Sequence, residues 1–280
     1  MANAPTKPTT PVNKESSSAS GAFATLTIPI CLAVAILIYV FILGDPSHYK
    51  GGDVKDGEPT DLFGIVHKGG IIVPLIMSYV LMVIVFSIER AVVIGKASGT
   101  GNVENFVKKV QSFLNAGNID AASAECDKQK GSVANVIKSG LKKYKEMQLD
   151  QTMDVDQKTL AIQKDIEEAT ALEMPMLEQN LTIIATLVSI GTLTGLLGTV
   201  VGMIKAFGEL GSTGAANTSA LSNSISEALI NTALGIGTSA VSIVMYNIFT
   251  SKIDKLTYAI DETGFSIVQT FAASHKNQNR

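Results

Sequence analysis

Four stretches of this chain run for about twenty residues or more with almost no charge, and they decide what it can fold into. A segment of that length and apolarity matches ~30 Å of hydrocarbon. Inside lipid every backbone N–H and C=O must find its partner within the segment, so each stretch has to be a helix. The predicted spans are residues 23–43, 70–90, 181–209 and 220–250. The chain is 46% hydrophobic and only 17% charged, a balance that suits a membrane protein with a sizeable water-exposed part.

The segments between the spans differ in character. Residues 1–22 are rich in Ser, Thr, Pro and Ala and are expected to be a disordered tail. The 23–43 span reads as a retained anchor, because its apolar core is too long for a signal peptide and no small-residue cleavage site follows it cleanly. Residues 44–69 and 210–219 read as loops rich in glycine and small polar residues. Residues 91–180 form a polar region with helical periodicity, seen in the stripe Val103, Phe106, Val107, Val110, Phe113 and Leu114. Asn115-Ala116-Gly117-Asn118 reads as a helix stop and restart. Lys138, Lys142, Lys143 and Lys145 read first as a solvated helix face. From about Asp154 a long helix is expected to run into the third span, with Pro175 as a bend. Residues 251–280 continue the last helix into water. The fold class expected is an all-α integral membrane protein with four transmembrane helices, two of them long and extending into a cytoplasmic helical domain.

Orientation follows from the basic residues. Residues 90–180 hold 12 Lys and Arg, the 44–69 loop 3, the 210–219 loop none, the N-terminal tail 2 and the C-terminal tail 4. Positive charge stays on the cytoplasmic side, so both termini and the large polar region are expected there, and both loops on the far side. The net charge of −3 suggests no nucleic-acid partner. Cys31 and Cys126 lie in unlike surroundings and imply no disulfide framework. His48, His67 and His275 lack metal-ligand spacing, and no nucleophile elbow or phosphate loop is present. No catalytic constellation, metal site or cofactor is expected.

Chemistry concentrates in the last two spans. Glu227 is the only charged residue between Ala220 and Thr250. A carboxylate at bilayer depth costs on the order of 3 kcal/mol on insertion scales, and one able to take up and release a proton is the minimal part of a proton path. Ser224, Glu227, Asn231, Gly235, Thr238 and Ser242 recur at steps of 3, 4, 4, 3 and 4, so they share one helix face. That polar stripe should face protein or a water-filled interior, either as interhelical glue or as lining. On the third span Gly191, Gly195, Gly198 and Gly202 recur at steps of 4, 3 and 4, with Thr192 and Thr199 on the adjoining face. Such glycines let helix backbones approach closely.

Several of these residues carry a resemblance. Gly195-Leu-Leu-Gly-Thr-Val-Val-Gly-Met-Ile204 with Lys205-Ala-Phe207, Ile225-Ser-Glu-Ala-Leu229 with Asn231-Thr-Ala-Leu-Gly-Ile236, Tyr246-Asn247, and Ser87-Ile-Glu-Arg90 together resemble the core motifs of the MotA/TolQ/ExbB proton-channel family, most of all ExbB and then TolQ. The likeness covers roughly residues 70–260. It implies that Glu227, Thr199 and Thr232 form a proton pathway, with Thr192, Ser224, Asn231 and Thr238 lining or supporting it. Thr232 enters through the resemblance alone, since five residues turn a helix by ~140° from Glu227. The resemblance further implies a homo-oligomeric ring, a pentamer, in the bacterial inner membrane. Such a ring encloses an ExbD- or TolR-like single-span partner that supplies an aspartate, contacts membrane lipids and drives a TonB-like transducer in outer-membrane transport. A TolQ-like envelope-division motor, a MotA-like motility stator and a non-conducting membrane scaffold are the alternatives. Two departures stand out: the extra span 23–43, and Leu193 where ExbB-like sequences commonly carry proline.

Overall fold

The computed structural model describes residues 15–54, 57–213 and 218–276. Those residues form an all-helical protein, and four of its helical stretches are long and apolar enough to cross a membrane. Helix α1 (Glu15–Leu37) passes into a π-helical turn at Ile38–Leu43. Its start corrects the expected tail: helix begins at Glu15 rather than after residue 22, and residues 1–14 lie outside the described ones. The last tail proline is Pro11, and the Ser/Ala stretch that follows contains nothing that bars a helix.

The extra span packs on α3 (Ile72–Ser98). Phe23 meets Phe86 edge to face at 6.1 Å, and Cys31 and Ala35 are buried. Tyr39 donates to the His67 carbonyl at 3.0 Å. The 44–69 segment holds more order than a plain loop. Asp61 accepts from the Gly64 N–H at 3.0 Å and so caps a short helix, α2 (Leu62–His67). Asp61 also meets His48 Nδ1 at 2.6 Å, and Tyr49 Oη lies 2.6 Å from His67 Nδ1. Burial pushes the His67 imidazole below its ordinary range, and the Lys68 charge acts in the same direction. A histidine held neutral stabilises its surroundings fully above its unfolded value of roughly 6.5, and that contribution is lost as pH falls through the lowered folded value. Hydrogen exchange across residues 44–70, corrected for intrinsic rates, is therefore expected to quicken at pH ~5 relative to pH ~7.5. Equal protection at both would show that His67 does not hold this segment.

The polar region is a bundle of α4 (Val103–Asn115), α5 (Ile119–Gln129), α6 (Gly131–Leu149) and α7 (Val155–Glu178) around the far half of α9 (Thr218–Lys276). Phe106, Val110, Leu114, Ile137, Leu141, Ile162, Ile267 and Phe271 make its core. The lysines of α6 stay at the surface: Lys138 pairs with Asp127, Lys145 with Asp120 and Lys143 with Glu146. Helix α9 has 59 residues, or ~88 Å at 1.5 Å per residue, and crosses from the apolar layer into this bundle unbroken.

The expected bend at Pro175 is elsewhere. Pro175 sits inside α7 and accepts the Gln179 N–H at 3.0 Å, and the chain breaks at Gln179 and Asn180 before α8 (Leu181–Thr213). Asn180 has φ of 61°, a left-handed conformation that asparagine tolerates better than most residues. Helices α7 and α8 are therefore two rods, not one. The expected 210–219 loop is also shorter: α8 reaches Thr213, α9 starts at Thr218, and residues 214–217 lie outside the described ones. Arg90, on α3 two turns before its end and 1% exposed, reaches the α7–α8 break. Its Nη1 donates to the carbonyls of Met176 and Leu177 at 3.1 Å each, and its Nε to Glu89 at 2.6 Å. Those carbonyls belong to the last turn of α7, where helix geometry leaves acceptors without partners.

Candidate functional site in the α8–α9 hairpin

Helices α8 and α9 run antiparallel along a seam of small residues. A Cβ on Gly191 would stand 2.7 Å from Ser239 Oγ, on Gly195 3.0 Å from the Asn231 carbonyl, on Gly198 2.4 Å from Asn231 Cβ, and on Gly202 2.7 Å from Ala228 Cβ. All four glycines thus face α9, and their spacing is the spacing of the contact. Gly235 answers from the other side. A Cβ there would stand 2.5 Å from the Gly191 carbonyl oxygen and 2.7 Å from Gly195 Cα. Backbone atoms cannot swing aside as a flexible side chain does. Gly235→Ala is expected to destabilise the hairpin by about 1–3 kcal/mol, the usual cost of overpacking. Thermal unfolding of the purified protein in detergent measures it, and an unchanged midpoint would mean that the helices part freely.

The polar stripe of α9 lies in this seam and against α3. Asn231 is wholly buried and its Nδ2 donates to the Gly69 carbonyl at 2.8 Å, tying α9 to the turn that precedes α3. Ser224, Thr238 and Ser242 are buried too; Thr238 donates to the Leu234 carbonyl and Ser242 to that of Thr238, each at 2.8 Å. Thr192 donates across the seam to Ser239 at 2.8 Å. These groups were expected to line or support a pathway. Ser224, Asn231 and Thr238 are packed inside the chain's own helix contacts and line no lumen of a single chain, because the small seam residues bring the helices too close to leave one.

Thr199 and Thr232 come together. Their hydroxyls are hydrogen-bonded to each other, and Thr232 also reaches the carbonyls of Gly195 and Ala228 at 3.1 Å each. A helical wheel of α9 alone puts Thr232 off the Glu227 face. The crossing with α8 brings it to Thr199, since its neighbour Asn231 is a seam residue.

Glu227 is not the isolated charge that its sequence surroundings suggest. Lys205 Nζ donates to its Oε1 at 2.8 Å; the Glu227 side chain is 14% exposed and that of Lys205 48%. Behind the carboxylate stands Gly70, at φ 77°, where a Cβ would fall 2.2 Å from Oε1. Two conditions therefore ask for glycine there: the left-handed backbone and the carboxylate pressed against it. In the sequence Lys205 lies at the far end of the third span, with no partner marked for it. The missed signal is spacing: Gly191, Gly195, Gly198, Gly202 and Lys205 continue one series of steps of 4, 3, 4 and 3, so Lys205 is the next seam position.

Similarity to known proteins falls on this same part of the chain. A family model described as the MotA/TolQ/ExbB proton channel family matches residues 128–262. An ExbB-like biopolymer transport protein of Synechocystis sp. is 39% identical over 88 residues, covering 31% of this chain and 42% of the relative. The biopolymer transport protein ExbB of Xanthomonas campestris pv. campestris is 31% identical over 102 residues, covering 36% and 40%. The Tol-Pal system protein TolQ of Pseudomonas aeruginosa is 22% identical over 205 residues, covering 71% and 87%. The match to the two ExbB-type relatives thus spans less than half of their length. Residues 128–262, which carry α8 and most of α9 with Thr199, Thr232 and the Lys205–Glu227 pair, are thus the part of the chain that is similar to the MotA/TolQ/ExbB proton channel family.

Proposed function

We propose that this chain is the ExbB-like proton-channel subunit of an inner-membrane motor that converts the proton motive force into movement of a partner. The observation that carries the reading is the α8–α9 hairpin: an ionisable carboxylate within a span, only 14% exposed, on the helix that also brings Thr232 to Thr199. A single hairpin encloses no channel, so the path forms between copies and a central partner. Leu196, Val200, Ile204 and Phe207 on α8 and Leu229 and Ile236 on α9 are exposed apolar side chains that such copies, the partner helix or lipid would cover. In this reading five copies form a ring around ExbD- or TolR-like single-span helices, whose aspartate exchanges protons with Glu227. Glu227 is the relay carboxylate, and Thr199 and Thr232 hold it and its water in register. The polar bundle and both termini are cytoplasmic, and the output passes to a TonB-like transducer for outer-membrane uptake. A proton crossing ~100 mV releases about 2.3 kcal/mol for this work.

One observation favours a second reading, a non-conducting scaffold: that role expects a salt-bridged Glu227, and Lys205 supplies the bridge. Reconstitution of the chain with its co-purified single-span partner separates the two. A motor subunit takes up protons under an imposed potential and its function stops with an uncoupler; a scaffold does neither. The periplasmic domain of that partner then distinguishes ExbB-like from TolQ-like and MotA-like work.

A further inference from the structure

We propose that Lys205 is a tethered cation occupying the place beside Glu227 that a sodium ion would need, and that it thereby restricts the carboxylate to exchange of protons. The assignment deepens the proton-motor reading and rests on it.

The geometry begins with the seam. Lys205 stands on the α8 face that carries Gly202, and helix side chains lean toward their own N-terminus. That lean brings the ammonium back along α8 onto Glu227, which it meets at 2.8 Å. Glu227 is the more enclosed partner, and the ammonium and Gly70 both stand at its Oε1. Among the described residues, three elements on this side of the chain carry charged or titratable groups. Lys205 contacts Glu227 from α8. Tyr39, in the π-helical turn after α1, donates to the His67 carbonyl, three residues before Gly70. Lys68, in the turn before α3, has its ammonium over the Tyr49 ring instead, 5.7 Å from the centroid. Among the described residues no cluster of His, Cys, Asp or Glu forms a metal site.

A hard metal cation here would need the carboxylate oxygen and a shell of further oxygens. The ammonium already holds Oε1, and the hydroxyls of Thr199 and Thr232 are engaged with each other and with the carbonyls of Gly195 and Ala228. A second cation next to the ammonium also meets like-charge repulsion in a region of low dielectric. A proton meets the same repulsion but needs no shell of oxygens. It adds to a carboxylate oxygen, cancels the charge, and releases the ammonium, which keeps its own protons. The pair is closed when Glu227 is charged and free to part when it is protonated, so each proton taken up also unlatches α8 from α9 at this level.

The test uses the full chain with its co-expressed single-span partner in liposomes holding a pH-sensitive dye. Proton flux at fixed potential is measured with sodium or choline outside, together with uptake of radiolabelled sodium. The native complex is expected to conduct equally in both and to take up no sodium above empty liposomes. Lys205→Met and Lys205→Gln are expected to let sodium suppress proton flux by about tenfold, or to carry sodium themselves, and Lys205→Arg to behave as native. Assembled neutral variants that ignore sodium overturn the assignment. So does failure of both neutral variants to assemble where Lys205→Arg succeeds, since Lys205 is then a structural rivet. Glu227→Gln keeps the two readings apart: normal flux in that variant removes the motor reading itself, whereas lost flux beside sodium-blind Lys205 variants removes the Lys205 assignment alone.

Discussion

Glu227→Gln is expected to leave the helices assembled and to abolish proton-driven work. The amide nearly matches the carboxylate in size, so the packing against Gly70 survives, and its oxygen still accepts from Lys205. What it loses is the ability to bind and release a proton. A positioned proton-transfer group is worth about 10²–10⁴-fold in rate, and flux through the reconstituted complex should fall by that order. Assembly is followed separately by size and by co-purification of the partner, because an unassembled ring would also be silent. The variant also leaves the Lys205 ammonium without a counter-charge, which costs stability on its own account. A modest drop in thermal midpoint is therefore expected beside the loss of flux, and only the loss of flux bears on the relay role. An assembled Glu227→Gln complex that conducts like the native one would reduce Glu227 to a packing residue. Thr199→Ala combined with Thr232→Ala gives the complementary measurement. It removes a hydroxyl pair and leaves the charge pair intact, so it should slow flux without abolishing it.

The apolar spans and the glycine seam are legible in the sequence because each depends on the periodicity of one helix. Gly191, Gly195, Gly198 and Gly202 mark the face of α8 that meets α9, and the structure places all four there. What depends on two helices at once is not legible in the same way. A helical wheel assigns Thr232 an angle and says nothing of Thr199. The polar stripe of α9 is equally compatible with a lumen and with a partner helix until the close approach of Gly235 to Gly191 excludes a lumen within one chain. The pairing of Lys205 with Glu227 likewise depends on two helices at once. The long lysine stem lets the charge sit more than a turn away from its Cα, which composition cannot reveal. Helix breaks fail for a related reason. Proline is the conspicuous residue near the α7–α8 junction, yet Pro175 is accommodated within α7. The chain turns instead at Asn180, whose tolerance of positive φ shows only once the neighbouring helices demand it.

Arg90→Ala is expected to be the most destabilising single change outside the α8–α9 hairpin. The guanidinium is buried where α3, two turns before its end, crosses the last turn of α7 just ahead of the α7–α8 break. It neutralises Glu89 and satisfies the carbonyls of Met176 and Leu177. Positive charge at a helix C-terminus is favourable in itself, and the planar fork spans two carbonyls as a single ammonium cannot. Removing it leaves a partly buried carboxylate and two carbonyls without partners, and breaking a buried pair from one side costs about 3–5 kcal/mol. Arg90→Lys should recover only part of that, for reasons of shape. Arg90→Met with Glu89→Gln should cost less than Arg90→Met alone, because the stranded charge is removed together with its partner. Denaturant or thermal unfolding of the purified protein measures the series, and hydrogen exchange over residues 174–184 localises it. A loss below about 1 kcal/mol for Arg90→Ala would mean that water replaces the guanidinium at this junction. The α7–α8 break would then stand on Asn180 alone. A loss of the expected size, concentrated at residues 174–184, makes Arg90 the joint that holds α3 against the α7–α8 break, where the two rods separate.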